Sequence, residues 1–247
     1  MKRLWLIYSF VAGWFSWFVF GGVGLALNFV CTLLLPLPGR RRWGVPVRAA
    51  IGRLFRAWLA WLHATRLIYV RWHGFTPAAL AGPAVYIANH PGLLDATFLL
   101  ARLPDTICIF KPTLIRHPAI GPAAIMAGYA AGDGGADLIR DVAARVAAGR
   151  SLLVFPEGTR SLADRKMGPL KPGFALIAAR ARVPVRLIAI DSPRDLLPRG
   201  RPWWRLPSFP SRVQVTFLGE IRPGPDDRAT ELAERAERLL RSALPGS

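Results

Sequence analysis

The sequence predicts an α/β domain, a sheet with helices on its faces, that follows a membrane-embedded helical segment. Three observations carry this. Beyond Trp72, short apolar runs alternate with stretches of helical periodicity, the pattern of strands and helices interleaved along a chain. From Leu4 to Leu37, 34 residues pass without a charged side chain, more than the ~20 that one helix needs to cross a bilayer. Residues 1–94 hold ten Lys and Arg and no Asp or Glu. The apolar segment therefore has a basic flank, and anionic lipid attracts each such residue by about 1 kcal/mol near its surface.

Composition narrows the partners. The 247 residues suit one sizeable domain with an appendage and can bury a full core. With 52% hydrophobic and 19% charged residues, the chain is too apolar for a comfortable soluble monomer. A formal charge of +18 asks for an anionic partner. Membrane phospholipid fits a basic flank on an apolar run; a nucleic-acid binder would carry the basic patch without that run. The two cysteines, Cys31 and Cys108, support neither a disulfide framework nor zinc spacing and read as buried thiols. No His, Cys and carboxylate cluster suggests a metal site.

The elements follow in order. Gly21, Gly22 and Gly24 divide the N-terminal run into Leu4–Phe20 and Leu25–Leu37, with Lys2-Arg3 before it and Arg40-Arg41-Arg42 after it. Positive residues tend to stay cytoplasmic, so residues 1–38 are expected to form a re-entrant or in-plane hairpin, a single tilted span being the alternative. Residues 39–72 carry an amphipathic helix over Val47–Val70, with Arg53, Arg56, His63 and Arg66 on one side and Leu54, Trp58, Trp61 and Leu62 on the other. Tryptophan with arginine suits the headgroup layer; a helix packed on the domain with a solvated basic face is the alternative. Residues 73–247 make the α/β domain. Its strands are expected at Ala84–Ala88, Thr106–Phe110, Ser151–Phe155, Val185–Ile190 and Val213–Leu218. Its helices are expected at Leu94–Arg102, Ala136–Ala148, Gly173–Arg182 and Asp226–Ser242. Ser192–Ser211, rich in Pro, Arg and Trp, reads as a long surface loop.

Two segments carry chemistry. In Ala88–Thr97, ANHPGLLDAT, a strand ends at Asn89 and Pro91-Gly92 turns the chain into a helix. His90 then lies in the turn and Asp95 in the first helical turn, where the carboxylate can accept a ring N–H. A histidine so held keeps its other nitrogen as a general base, and the carboxylate stabilises the imidazolium that forms. With no G-x-S-x-G elbow, such a base acts on a substrate group directly. Taken alone, the pair also reads as a turn histidine and an aspartate satisfying a helix N-terminus. The second segment, Leu153–Ser161, places Glu157 at the carboxyl end of another strand, the edge where α/β sheets bind ligands. Gly158 permits close backbone approach and Arg160 offers a fork for phosphate or carboxylate.

N-H-x-x-x-x-D at Asn89–Asp95, followed about sixty residues later by F-P-E-G-T-R-S at Phe155–Ser161, resembles the glycerolipid acyltransferase family, whose best-known members are 1-acylglycerol-3-phosphate acyltransferases. The resemblance covers roughly residues 72–222. It implies a mixed sheet flanked by helices and acyl transfer from a thioester to a hydroxyl, without a cofactor. By that likeness His90 and Asp95 are catalytic, His90 as base and Asp95 as its orienter. Glu157, Gly158, Thr159 and Arg160 bind the acceptor or position the site, and Lys111 contacts a phosphate or the developing oxyanion.

The departures are as informative. The family's K-x-E-L segment reads Lys111-Pro112-Thr113-Leu114, without its glutamate. The G-x-x-F-I-x-R block, whose arginine goes with the acceptor phosphate, reads Gly128–Gly134, with Asp133 and no arginine. The late V-P-V-x-P-V block reads Val183–Ile188 and has lost its second proline. The expectation is thus a membrane-bound O-acyltransferase, its catalytic domain on the cytoplasmic face. Acyl-CoA or acyl-ACP would be the donor, and a lysophospholipid or related lipid the acceptor. The alternatives are a non-phosphate acceptor, such as an aminolipid or a polyketide- or pigment-like alcohol, and a non-catalytic membrane adapter with this fold. No nucleic-acid partner is expected.

Overall fold

The computed structural model describes residues 2–161, 167–224 and 226–244; the remaining positions of the segments marked out above lie outside the described residues. Helix α1 (Lys2–Leu34) leads through a 3₁₀ turn (Arg40–Trp43) into α2 (Gly44–Ala64). The domain then runs β1 (Ile68–His73), β2 (Val85–Ala88), α3 (Asp95–Arg102), β3 (Thr106–Phe110), α4 (Pro112–Ile115), α5 (Gly121–Met126), β4 (Ala130–Ala131), α6 (Gly135–Ala147), β5 (Ser151–Val154), α7 (Gly173–Ala181), β6 (Val185–Asp191), β7 (Ser211–Ile221) and α8 (Ala229–Ser242).

The strands form one sheet in the order β1-β7-β6-β2-β5-β3-β4. Strand β7 is antiparallel to β6 and parallel to β1, while β6, β2, β5, β3 and β4 run parallel. The sheet is therefore mixed, as the resemblance implied. Its centre is buried on both faces, so β2 and Leu152–Val154 of β5 are continuous apolar runs rather than alternating ones. Helix α2 packs on α3 and β1; α7 and α8 pack on each other and on β6. The two cysteines are free and buried.

Three expectations change. The glycines do not split the N-terminal run: Lys2–Leu34 is one helix, not a hairpin. A glycine costs only about 1 kcal/mol relative to alanine inside a helix, and contacts on both sides of the glycines hold one axis. Phe20 stacks on Trp58 at 4.1 Å, and Asn28 Oδ1 accepts from Ala123 N–H at 3.0 Å. The amphipathic helix stops at Ala64 rather than Val70, because Arg66 takes a left-handed conformation (φ 58) and Ile68–His73 pairs with β7 as a strand. Strand β4 and helices α4 and α5 lie where no element was expected; they are two, four and six residues long, too short for periodicity to register.

Helix α1 is built inside out. Its buried residues are Ser9, Gly13, Ser16, Asn28 and Cys31, while Leu4, Leu6, Phe10, Phe15, Phe18 and Phe29 stand exposed. Small and polar side chains let it lie close to the domain: Ser16 Oγ accepts from Trp58 Nε1–H at 2.9 Å. It is long and apolar enough to cross a membrane.

Candidate active site

Strands β2 and β5 are parallel neighbours, Ile87 opposite Val154, so the two motif-bearing loops leave the same edge of the sheet side by side. Asn89 fixes the first exit. Its side chain copies a strand's backbone, Nδ2 donating to Ile190 O at 2.8 Å and Oδ1 accepting from Ile190 N–H at 2.7 Å, which extends the β2–β6 pairing by one residue. The chain then turns through His90 and Pro91. Gly92 admits Leu196 O, which would stand 2.6 Å from any Cβ placed there.

His90 Nδ1 lies 2.8 Å from Asp95 Oδ2, which also accepts from Gly92 N–H at 2.7 Å. Asp95 is 1% exposed and its Oδ1 has no partner. Burial pushes the Asp95 carboxyl up from the ordinary carboxylate range; the His90 and Gly92 hydrogen bonds and the Arg160 charge pull it partly back. The His90 ring stacks on Phe155 at 4.1 Å and 18°. With Nδ1 on the carboxylate and one face on Phe155, the ring has a single orientation. Its Nε2 has no partner among the described residues.

The second loop is sewn to the first through Glu157, which is 8% exposed. Its Oε1 accepts from His90 N–H at 2.7 Å, and its Oε2 accepts from Ser161 Oγ at 2.8 Å and Gly168 N–H at 2.7 Å. Ser161 N–H in turn donates to His90 O at 2.7 Å. Both carboxylate oxygens of Glu157 are thus engaged in holding the two loops together. Glu157→Gln should lower stability by about 1–3 kcal/mol, since one amide oxygen must serve three donors, and should hardly change KM. An unchanged Tm with a raised KM would instead place the residue on substrate.

The other expected residues spread along the edge. Gly158 has φ +72, a conformation that glycine adopts without strain. Its missing side chain leaves room for Lys171, whose Nζ lies 3.2 Å from where a Cβ would stand. Thr159 is half-buried beside it. Arg160 Nη1 donates to Leu197 O at 3.0 Å and Pro198 O at 3.2 Å, so part of its fork is already used. Burial, the largest influence, lowers the Arg160 pKa; Arg199 adds to this and the Asp95 charge opposes it. Lys111 is exposed at the end of β3, two strands from β2, or roughly 10 Å at normal strand spacing. Asp133 and Gly134 follow β4, a further strand away. The sequence marks Asn89, Phe155 and Ser161 only as motif members without a role of their own, and Lys171, ten residues past Ser161, not at all; nothing in their residue types singles them out.

An α/β sheet that presents a histidine, locked by a buried aspartate, between the carboxyl ends of two adjacent parallel strands defines the class. The comparisons give the family. The description Acyltransferase matches residues 69–191. The lyso-ornithine lipid O-acyltransferase of Pseudomonas aeruginosa is 32% identical over 241 residues, 91% of this chain and 89% of that protein. The 1-acyl-sn-glycerol-3-phosphate acyltransferases of Cocos nucifera and Chlamydomonas reinhardtii are each 32% identical, over 64% and 66% of this chain. The chain spans only about half the length of those two, 51% and 49%. The crystal structure of the 1-acyl-sn-glycerophosphate acyltransferase of Thermotoga maritima superposes with a TM-score of 0.71 at 20% identity, covering 98% and 97% of the two chains; it shares the fold. The chain belongs to the glycerolipid acyltransferase family.

Proposed function

We propose that the protein is a membrane-bound O-acyltransferase that moves a fatty acyl chain from acyl-CoA or acyl-ACP to the hydroxyl of a lysolipid with a zwitterionic, amino-acid-bearing head group. The observation that carries the chemistry is the His90–Asp95 pair with Nε2 open. Nε2 takes the acceptor's hydroxyl proton as the oxygen attacks the thioester carbonyl carbon. Asp95 stabilises the imidazolium. Collapse of the tetrahedral intermediate breaks the C–S bond, and the imidazolium returns the proton to the departing thiolate.

Two observations favour this acceptor over lysophosphatidate. The relative aligned along nearly its whole length is named for lyso-ornithine lipid. And the block that should meet a phosphomonoester offers Asp133, while Arg160 spends one nitrogen on the loop carbonyls. A phosphate deprived of one charge-assisted hydrogen bond binds more weakly by ~1.5–3 kcal/mol, roughly ten- to a hundredfold in affinity. Initial rates with lyso-ornithine lipid and lysophosphatidate in the same micelles should favour the first by that factor. A preference for lysophosphatidate that vanishes on Arg160→Ala would overturn the assignment.

Membrane attachment in this reading is in-plane. Helix α1 meets the domain from Trp5, whose Nε1–H donates to Phe209 O, to Cys31, 1% exposed. That is roughly 40 Å of helix, longer than the ~30 Å hydrocarbon core. A perpendicular span would drag α2 and the segment around Phe209, which α1 touches along that length, into hydrocarbon. Lying flat, α1 buries its exposed apolar face in lipid and leaves the basic residues in the headgroups, on the cytoplasmic side that positive residues prefer.

A further inference from the structure

The segment joining β6 to β7, residues 192–210, is fastened on two sides. At its base, Leu197 O accepts from Leu93 N–H at 3.1 Å and from Arg160 Nη1–H at 3.0 Å, so the loop touches both motif-bearing turns. Leu197 is fully buried with φ 54, a backbone state that leucine keeps only where its surroundings hold it. On the other side the loop lies against α1. Phe209 O accepts from Trp5 Nε1–H at 3.2 Å, and Gly13 is small enough for Leu206 and Phe209, whose nearest atoms would be 2.9 and 3.1 Å from a Cβ there. Arg201 Nη2 donates to Leu206 O at 2.7 Å, and Asp195 Oδ2 accepts from Ser208 N–H at 2.7 Å, so the loop is a built object.

Between these fastenings its tip stands free of the domain. Trp203 and Trp204 are 53% and 56% exposed, and their rings pack edge to face at 5.8 Å. Arg194, Arg199 and Arg205 are exposed around them. The loop holds four arginines against one aspartate, Asp195, and that aspartate is engaged with Ser208. Two adjacent exposed indoles are unusual on a protein that faces only water. Indole beside guanidinium is the chemistry of the membrane headgroup layer, where the ring is half apolar and the cation meets phosphate.

We propose that the tip of this loop is a second lipid-binding surface, specific for a bilayer containing anionic phospholipid. Trp203 and Trp204 enter the headgroup layer and Arg194, Arg199 and Arg205 engage lipid phosphates. Continuity argues for lipid over any other partner: Leu206 and Phe209, just beyond the tip, already touch the helix whose outer face is apolar along its length. With α1 flat on the bilayer, the tip reaches the same surface beside it.

The proposal rests on α1 meeting the bilayer, and the test separates the two. The full chain carrying Trp203→Cys, labelled with a fluorophore, is reconstituted into nanodiscs of phosphatidylcholine alone or with phosphatidylglycerol, each containing headgroup-level nitroxide lipid. Both native cysteines are buried. A label at Arg235→Cys, exposed on α8, is the control. The expected result is strong quenching at position 203 and little at 235, with quenching at 203 severalfold greater when phosphatidylglycerol is present. That increment should vanish in the Arg199→Glu/Arg205→Glu background. A protein retained in the discs with position 203 unquenched overturns the loop surface and leaves α1 in place. A protein that elutes apart from the discs overturns the membrane reading and the loop with it. Quenching does not depend on turnover, so neither outcome bears on the acyl-transfer assignment.

Discussion

His90→Ala should reduce turnover by ~10²–10⁴-fold, the contribution of a positioned general base. The side chain is 19% exposed and, among the described residues, makes one side-chain hydrogen bond, to Asp95, so its removal is not silent for the fold: among those residues the buried carboxylate keeps only the Gly92 N–H. His90→Gln separates the two effects. Its amide can still donate toward Asp95 but has no titratable nitrogen. Loss of rate in both variants, with Tm nearer to normal in His90→Gln, assigns the loss to proton transfer. A near-normal rate in His90→Gln would end the proposed mechanism, because an amide cannot take the hydroxyl proton.

How much of this was legible in the sequence follows from how local each cause is. Thr106–Phe110 was legible to the residue, because a buried parallel strand is a bare apolar run between turns. The His90–Asp95 contact was legible too, since five residues across one turn leave little freedom. Strand β1 was hidden, because whether Ile68–His73 continues a helix or joins a sheet is decided by β7, some 140 residues later. Continuity of α1 was hidden for the same reason: glycines permit a break, and only the contacts of Phe20 and Asn28 with distant residues show that none occurs. The bonding of Glu157 needed both loops in place, as its three donors come from His90, Ser161 and Gly168. The surface loop expected at Ser192–Ser211 holds for its tip; Ser211 already begins β7, Leu196, Leu197 and Pro198 are buried against the site, and no periodicity encodes that.

Asp95→Asn should likewise lose ~10²–10⁴-fold in rate and yet yield a more stable protein near neutral pH. The rate falls because the amide cannot stabilise the imidazolium and can hold the ring in the wrong tautomer. The stability rises because burial, the dominant influence on this carboxyl, favours its uncharged form. The sign follows from linkage. With the folded-state pKa raised above the unfolded one, the unfolded chain releases the Asp95 proton first as pH rises. Stability is therefore lost between the unfolded and the folded pKa and stays lower above both. The wild type carries that cost wherever the site is ready to act, and the amide does not. Melting curves across pH should show a decline on leaving the acidic range in the wild type that is reduced in Asp95→Asn, with Tm of the variant higher at neutral pH. A lower Tm for the variant at neutral pH would mean that the bonds from His90 and Gly92 outweigh desolvation, and that the ionised aspartate stabilises the fold as well as the transition state.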